Sequence, residues 1–154
     1  MAKFNFLLFN EHDLLSKLYE ETHRFRAIDD AGLFALAKDV SRLTADRINI
    51  AEVQRIAPPP PKTQWRSLKS LEHFLASKID TNDARLITGA LVGAYELRQA
   101  DAHLPGKEID EYFLLLKIDR SLPKVMQGYQ LLHSCVSSLY NVIDVLQNWE
   151  KLKK

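Results

Sequence analysis

Apolar residues recur at helical spacing, three or four positions apart, along nearly all of this 154-residue chain. The longest run extends from Leu122 to Leu146. Strand-like alternation is confined to the first nine residues, where Phe4, Phe6 and Leu8 would share one side of a short extended arm. The chain has only 5 Gly and 6 Pro, too few to favour a loop-rich all-β fold. We therefore predict an all-α protein.

The periodic segments predict a single helical bundle of about six helices, with the long C-terminal helix at its centre. Asn10 is a candidate N-cap for the first helix, and the segment 80–83 supplies a cap and an acidic first turn for the fifth. The predicted segments are 14–25, 33–43, a short helix at 50–56, 64–79, 83–102, 109–116 and 122–149.

A run of four prolines, Pro58 to Pro61, divides the chain into two parts. The length favours one domain over 1–154, with N-terminal helices in 1–57, a proline-rich connector in 58–62 and a helical core in 63–154. Prolines lack backbone donors and adopt an extended conformation. The run is therefore either a stiff connector between helices or a recognition motif for an aromatic groove.

Composition excludes several classes of function. The net charge of +1 does not favour a duplex-DNA binder, and a single cysteine excludes an internal disulfide and a cysteine-cluster metal site. The five histidines are never four residues apart, so their spacing predicts no metal site, and no motif predicts a cofactor. We expect Cys135 and His133 to lie in the core. The chain shows no membrane span or cleavable leader, and we expect a cytoplasmic protein with no membrane contact.

Small residues interrupt the apolar pattern of the fifth predicted helix at Gly89, Ala90, Gly93 and Ala94. A glycine inside a helix costs about 0.5–1 kcal/mol relative to alanine, and close approach of another backbone can offset that cost. The small residues therefore predict either tight packing within the chain or a helix–helix interface in a homodimer.

Arg98 and His103 at the end of this helix are the residues most suggestive of chemistry. Arg98 continues the apolar stripe of Ile87, Leu91 and Ala94, so its charge requires a partner or a function. Histidine can transfer protons near neutral pH, and arginine can stabilise charge developing on a phosphate. Cleavage of RNA by its own 2′-hydroxyl needs both groups and needs no metal.

An Arg-x4-His motif in an all-helical chain resembles the HEPN-domain family, over about residues 63–149. The resemblance implies a metal-independent RNA endonuclease of a toxin or defence system, in which two protomers commonly form one composite site. It implies that Arg98 stabilises the phosphate, that His103 is the catalytic acid or base, and that Gln99 is the polar residue that binds RNA beside the arginine. It also implies a homodimer. Arg66 and His73 satisfy only the loosest form of the motif.

The alternative is a non-catalytic helical domain that binds a protein partner or regulates a larger assembly. In that case Arg98 pairs with Asp101 or with a carboxylate on another helix, and His103 caps a helix end. The two interpretations predict different partners, RNA for the first and another protein for the second.

Overall fold

A computed structural model describes residues 4–23, 27–99 and 106–152 of the chain, and these contain seven α-helices. The all-α class and the long C-terminal helix are confirmed. Across the described ranges, β pairing is limited to one isolated antiparallel bridge between Phe9 and Ile48. The helices are α1 (Leu15–His23), α2 (Asp30–Leu43), α3 (Ile50–Ile56), α4 (Ser67–Ala76), α5 (Thr81–Leu97), α6 (Gly106–Leu115) and α7 (Lys124–Gln147), with a 3-10 helix at Ala45–Arg47 between α2 and α3.

Several helix starts follow local capping chemistry. The Asp80 carboxylate accepts a hydrogen bond from the Asn82 backbone N–H at 2.8 Å, so the cap of α5 lies within the predicted segment 80–83. The predicted cap at Asn10 is wrong, because α1 begins only at Leu15. The Asn10 backbone instead pairs with Arg47. Near α1 the His12 ring takes the capping role, with Nδ1 accepting from the Leu14 N–H at 3.0 Å.

The most central position in the fold belongs to α5, which packs against α2, α4, α6 and α7. The long C-terminal helix α7 lies beside it and also contacts α2. Two side-chain bonds fix the register of α5 and α7: Ser138 donates to the Ile87 carbonyl, and the Cys135 thiol donates to the Ala90 carbonyl at 3.7 Å. The two helices are therefore antiparallel, and the N-terminal end of α7 lies near the C-terminal end of α5.

The small-residue surface of α5 is occupied by α6 within the chain. A Cβ atom added at Gly93 would lie 3.0 Å from Leu115 Cβ, Leu116 Cγ and the Tyr112 carbonyl oxygen. At Gly89 the nearest atom would be Leu115 Cδ2 at 3.6 Å. The absence of a side chain at Gly93 thus allows α5 and α6 to approach closely, which is the intramolecular alternative predicted for these residues.

An aromatic cluster joins the N-terminal arm to the end of α7. The rings of Phe74 and Trp149 are stacked, with centroids 4.4 Å apart, and Phe4 packs edge-on against both. The arm continues to Leu8, whose carbonyl accepts a hydrogen bond from the Asn49 N–H at 2.8 Å. Residues from both sides of the proline run therefore share one hydrophobic core.

The proline run itself lies between α3 and α4, which pack against each other. The Gln54 side chain spans the run by donating to the Trp65 carbonyl at 3.1 Å and to the Ser70 hydroxyl at 2.8 Å. Lys62 has a positive φ of 66°, so the chain reverses direction directly after the prolines.

Candidate functional site

Arg98 is the C-cap residue of α5, and its guanidinium reaches a carboxylate far away in the sequence. Nη1 of Arg98 donates to both oxygens of Asp46, at 2.7 and 2.9 Å. The Arg98 side chain is 19% exposed and that of Asp46 is 40% exposed. The ion pair engages a single nitrogen of the guanidinium, which leaves Nε and Nη2 outside it. Arg98 thus has the carboxylate partner on another helix that the structural alternative predicted.

The guanidinium of Arg98 also stacks on the ring of Tyr95. The guanidinium carbon of Arg98 lies 3.9 Å from the centroid of that ring, a close cation–π contact. Tyr95 precedes Arg98 by three residues, so the two side chains are neighbours on the surface of α5. Stacking and ion pairing together fix the plane of the guanidinium.

Asp46 is placed by the 3-10 helix, which is held at both ends. On one side, the Thr44 hydroxyl donates to the Val40 carbonyl at 2.7 Å and Ala45 is fully buried. On the other, Nε of Arg47 donates to the Asn10 carbonyl at 2.7 Å, and the Arg47 carbonyl accepts from the Asn10 N–H at the same distance. The carboxylate therefore lies on a well-supported segment.

The ion pair lies in a surface groove of about 510 Å³ between α2 and the end of α5. One side of the groove is a single face of α2, because positions 31, 34, 35, 38 and 42 repeat at helical spacing. We name it the Arg98 groove and define it by its lining residues, Ala31, Phe34, Ala35, Lys38, Arg42, Asp46, Arg98 and Gln99. These residues include three permanent cations and one carboxylate.

A second carboxylate lies beside the Arg98 groove without lining it. Asp39 is 3.7 Å from Nη1 of Arg42. Partial burial, and then the charge of Glu21, raise the pKa of Asp39 above its ordinary value, while Arg42 acts in the opposite direction. With Asp39 included, the cations around the groove exceed the carboxylates by one.

The predicted site residues are placed as follows. Arg98 and Gln99 lie together on the groove, and Gln99 is exposed there. His103 and Asp101 lie outside the described residues. Sequence reasoning missed Lys38 and Arg42, whose spacing of four residues places them on one face of α2 but does not distinguish them from other solvated basic residues.

Asp46 was also missed, and in this case the sequence held no signal. It is 52 residues from Arg98, and only the packing of α2 against α5 brings the two together.

The other candidate residues of the sequence analysis do not line the Arg98 groove. The His73 ring packs edge-on against Trp65 with centroids 4.6 Å apart, and Arg66 is exposed at the start of α4. His133 is exposed and its ring stacks against Tyr129, so its predicted core position is wrong. Cys135 is buried, as predicted, and burial raises its pKa to about 12, which suppresses the nucleophilic thiolate.

Within the described ranges, no group of three histidine, cysteine or carboxylate side chains is arranged to hold a metal ion. None of the helices in that part of the chain combines the length and the apolar character needed to cross a membrane. Comparisons with protein-family models, curated proteins and solved structures found no match for this chain.

Proposed function

We propose that the chain is a HEPN-like helical domain that binds and cleaves RNA at the Arg98 groove without a metal ion. The observation that carries the proposal is the excess of cations around a pre-oriented guanidinium in an open groove. A phosphodiester carries one negative charge per nucleotide, and Lys38 and Arg42 line the same groove as Arg98, where they could contact neighbouring phosphates of the backbone. Gln99 supplies a polar side chain at the same edge.

In this proposal Arg98 stabilises charge on the reacting phosphate through the donors that its ion pair leaves outside. The RNA 2′-hydroxyl attacks the adjacent phosphorus, and the bond from phosphorus to the 5′-oxygen breaks. His103 transfers a proton, either from the attacking hydroxyl or to the departing oxygen. The products carry a 2′,3′-cyclic phosphate and a 5′-hydroxyl. The family resemblance alone adds a toxin or defence setting.

The test is cleavage of a mixed RNA pool in the presence of EDTA. Wild type should cut and leave cyclic-phosphate ends. Arg98→Ala should lose about 10²–10³-fold in rate and His103→Ala about 10²–10⁴-fold. Circular dichroism should show an unchanged helical fold for both variants.

Two control variants match these substitutions. Arg120 also pairs with a carboxylate, Asp110, and also stacks on a ring, that of Phe113 at 4.7 Å. Arg120→Ala therefore removes a similar set of contacts outside the groove and should leave cleavage unchanged. His12→Ala removes an exposed histidine near α1 and should do the same. Equal losses in the control and test variants would contradict the proposal.

The Arg98–Asp46 ion pair also favours a second candidate function, a non-catalytic interaction or regulatory domain. An arginine that only joins α5 to the 3-10 helix needs no substrate. This candidate predicts that wild type leaves RNA intact, that Arg98→Ala and Asp46→Ala lower the free energy of unfolding similarly, and that a protein partner binds both variants. RNA cleavage by wild type that Arg98→Ala abolishes would exclude it.

A further inference from the structure

The surface of α7 that faces away from the core carries a regular apolar repeat. Seven residues follow one another at alternating spacings of three and four, which is the heptad pattern of coiled coils. We name them the α7 seam: Val125, Tyr129, Leu132, Val136, Leu139, Ile143 and Leu146. The pattern covers about 32 Å of helix at 1.5 Å per residue.

The seam is exposed, although its composition is that of a core. Val125, Tyr129, Val136 and Ile143 are 45–59% exposed, and the three leucines are partly exposed. The opposite face of α7 supplies the buried contacts of this helix, through Leu131, Cys135, Val142 and Val145, and the three seam leucines pack partly against the same core. Val125, Tyr129, Val136 and Ile143 therefore form a second apolar face that packing within the chain leaves largely uncovered.

The seam also lacks charge. Between Lys124 and Asp144, α7 contains no Asp, Glu, Lys or Arg over five helical turns. Surface helices of monomeric proteins normally place charged residues on their outer face. Tyr140, at 68% exposure, and Met126, at 45%, lie beside the seam and widen the apolar surface.

We propose that two copies of this chain pair through the α7 seam, with the two α7 helices antiparallel and a two-fold axis at the level of Ser134. About that level the pattern is self-complementary. Val125 lies opposite Ile143 of the second copy, Tyr129 opposite Leu139, and Leu132 opposite Val136. A two-fold interface requires the same surface from both copies, and this sequence meets the requirement.

The direction of pairing follows from charge. About Ser134, Lys124 of one copy, which also pairs with Asp30 of its own chain at 2.6 Å, lies at the same level as Asp144 of the other. Parallel helices would instead place like charges side by side. Antiparallel helices also align the positive end of each macrodipole with the negative end of its neighbour.

The exposed apolar area reaches the lower bound for a specific dimer. Tyr129 and Tyr140 together expose about 250 Å², and the neighbouring valine, methionine, isoleucine and leucine side chains raise this to about 500 Å² per copy. A symmetric pair would bury about 1,000 Å², the lower bound for a specific interface. None of the residues lining the Arg98 groove belongs to the seam, so this pairing does not depend on the proposed RNA cleavage.

The first test is the mass of the protein in solution, by sedimentation equilibrium of the full chain. Wild type should approach twice the 17.7 kDa of one chain as concentration rises. Val136→Glu introduces two charges near the axis and should return the mass to that of a monomer. Leu114→Glu, at a 76% exposed leucine on α6, is the matched control and should remain dimeric. A wild type that stays monomeric, or a dimeric Val136→Glu, would overturn the proposal.

Disulfide trapping tests the direction and does not depend on the fold of Val136→Glu. Val125→Cys and Ile143→Cys are both at exposed positions, and Cys135 is buried. A mixture of the two variants should form a disulfide-linked heterodimer under mild oxidation, while Val125→Cys alone should not link to itself. Rapid self-linking of Val125→Cys would show parallel helices and would overturn the antiparallel pairing.

Discussion

Alanine substitutions at Gly93 and Gly89 should change the free energy of unfolding in opposite directions. Both glycines are buried inside α5 and differ only in what an added Cβ atom would meet. At Gly93 it would meet three atoms at 3.0 Å, among them a backbone carbonyl oxygen and a Cβ atom, neither of which can move without the helix. At Gly89 it would meet the flexible end of Leu115 at 3.6 Å, an ordinary contact.

The magnitudes follow from two opposing effects. Replacing a helical glycine by alanine stabilises a helix by about 0.5–1 kcal/mol through the reduced entropy of the unfolded chain. Overpacking a core costs about 1–3 kcal/mol. At Gly89 only the first effect applies, so Gly89→Ala should raise the free energy of unfolding by about 0.5–1 kcal/mol. At Gly93 the helix α6 must move to accommodate the methyl group, so Gly93→Ala should lower the free energy of unfolding by about 1–2 kcal/mol.

Urea denaturation followed by circular dichroism measures both variants directly. The slopes of the transitions should match that of wild type, since neither change alters the surface exposed on unfolding. If Gly93→Ala stabilised the protein as much as Gly89→Ala, close packing of α6 on Gly93 would be refuted. Gly93→Leu should prevent α6 from docking and cost more than Gly93→Ala.

Three further outcomes are expected. The Cys135 thiol should react with an alkylating reagent only after unfolding, and rapid labelling of the native protein would contradict this. The free energy of unfolding should also fall as pH rises from about 9 towards 12, because the thiol ionises first in the unfolded chain. Asp39→Asn should raise the free energy of unfolding at neutral pH by less than about 1 kcal/mol, measured in urea, because burial raises the pKa of Asp39 and disfavours its charged form. Trp149→Ala should cost about 3–5 kcal/mol in thermal or urea unfolding, because the indole stacks on Phe74 and supports Phe4.

Much of the fold could be predicted because helical periodicity is a local signal. The short helix α3 begins at Ile50 and ends at Ile56, the bounds that the sequence predicted. The cap of α5 was predicted to lie within residues 80–83, and the structure assigns it to Asp80. The end of α5 was not predicted correctly. The pattern predicted a helix to residue 102, whereas α5 ends at Leu97. Periodic spacing does not itself mark where a helix ends, because an apolar pattern can continue beyond the last hydrogen-bonded turn.

Arrangement of the helices could not be predicted from the same signal. The broad apolar arc of the C-terminal helix predicted a central position, but part of that arc is the exposed α7 seam. Periodicity reports that a face is apolar and does not report which surface covers it. The small residues of α5 were a better guide to the centre, because only a helix that is packed closely by a neighbour needs them.

Only part of the candidate site could be predicted from the sequence. Arg98 was identified because a charge beside an apolar stripe needs a partner. That partner, Asp46, belongs to a distant segment, and no local pattern relates the two residues. Lys38 and Arg42 lie on one face of α2, but a pair of basic residues on a helix is common on solvated surfaces. It becomes informative only when α2 is seen to face the end of α5.

The balance of charge around Arg98 separates the structural and functional interpretations. A purely structural ion pair needs one cation and one carboxylate, and Asp46 already satisfies Arg98. Lys38 and Arg42 add positive charge to the same groove, and the charge of Arg42 is offset by Asp39 at 3.7 Å. Three cations then face two carboxylates, which leaves a surplus of one positive charge. A phosphodiester in the groove would be attracted by that surplus and would offset the repulsion among the cations, so the surplus favours an anionic ligand over a structural role alone.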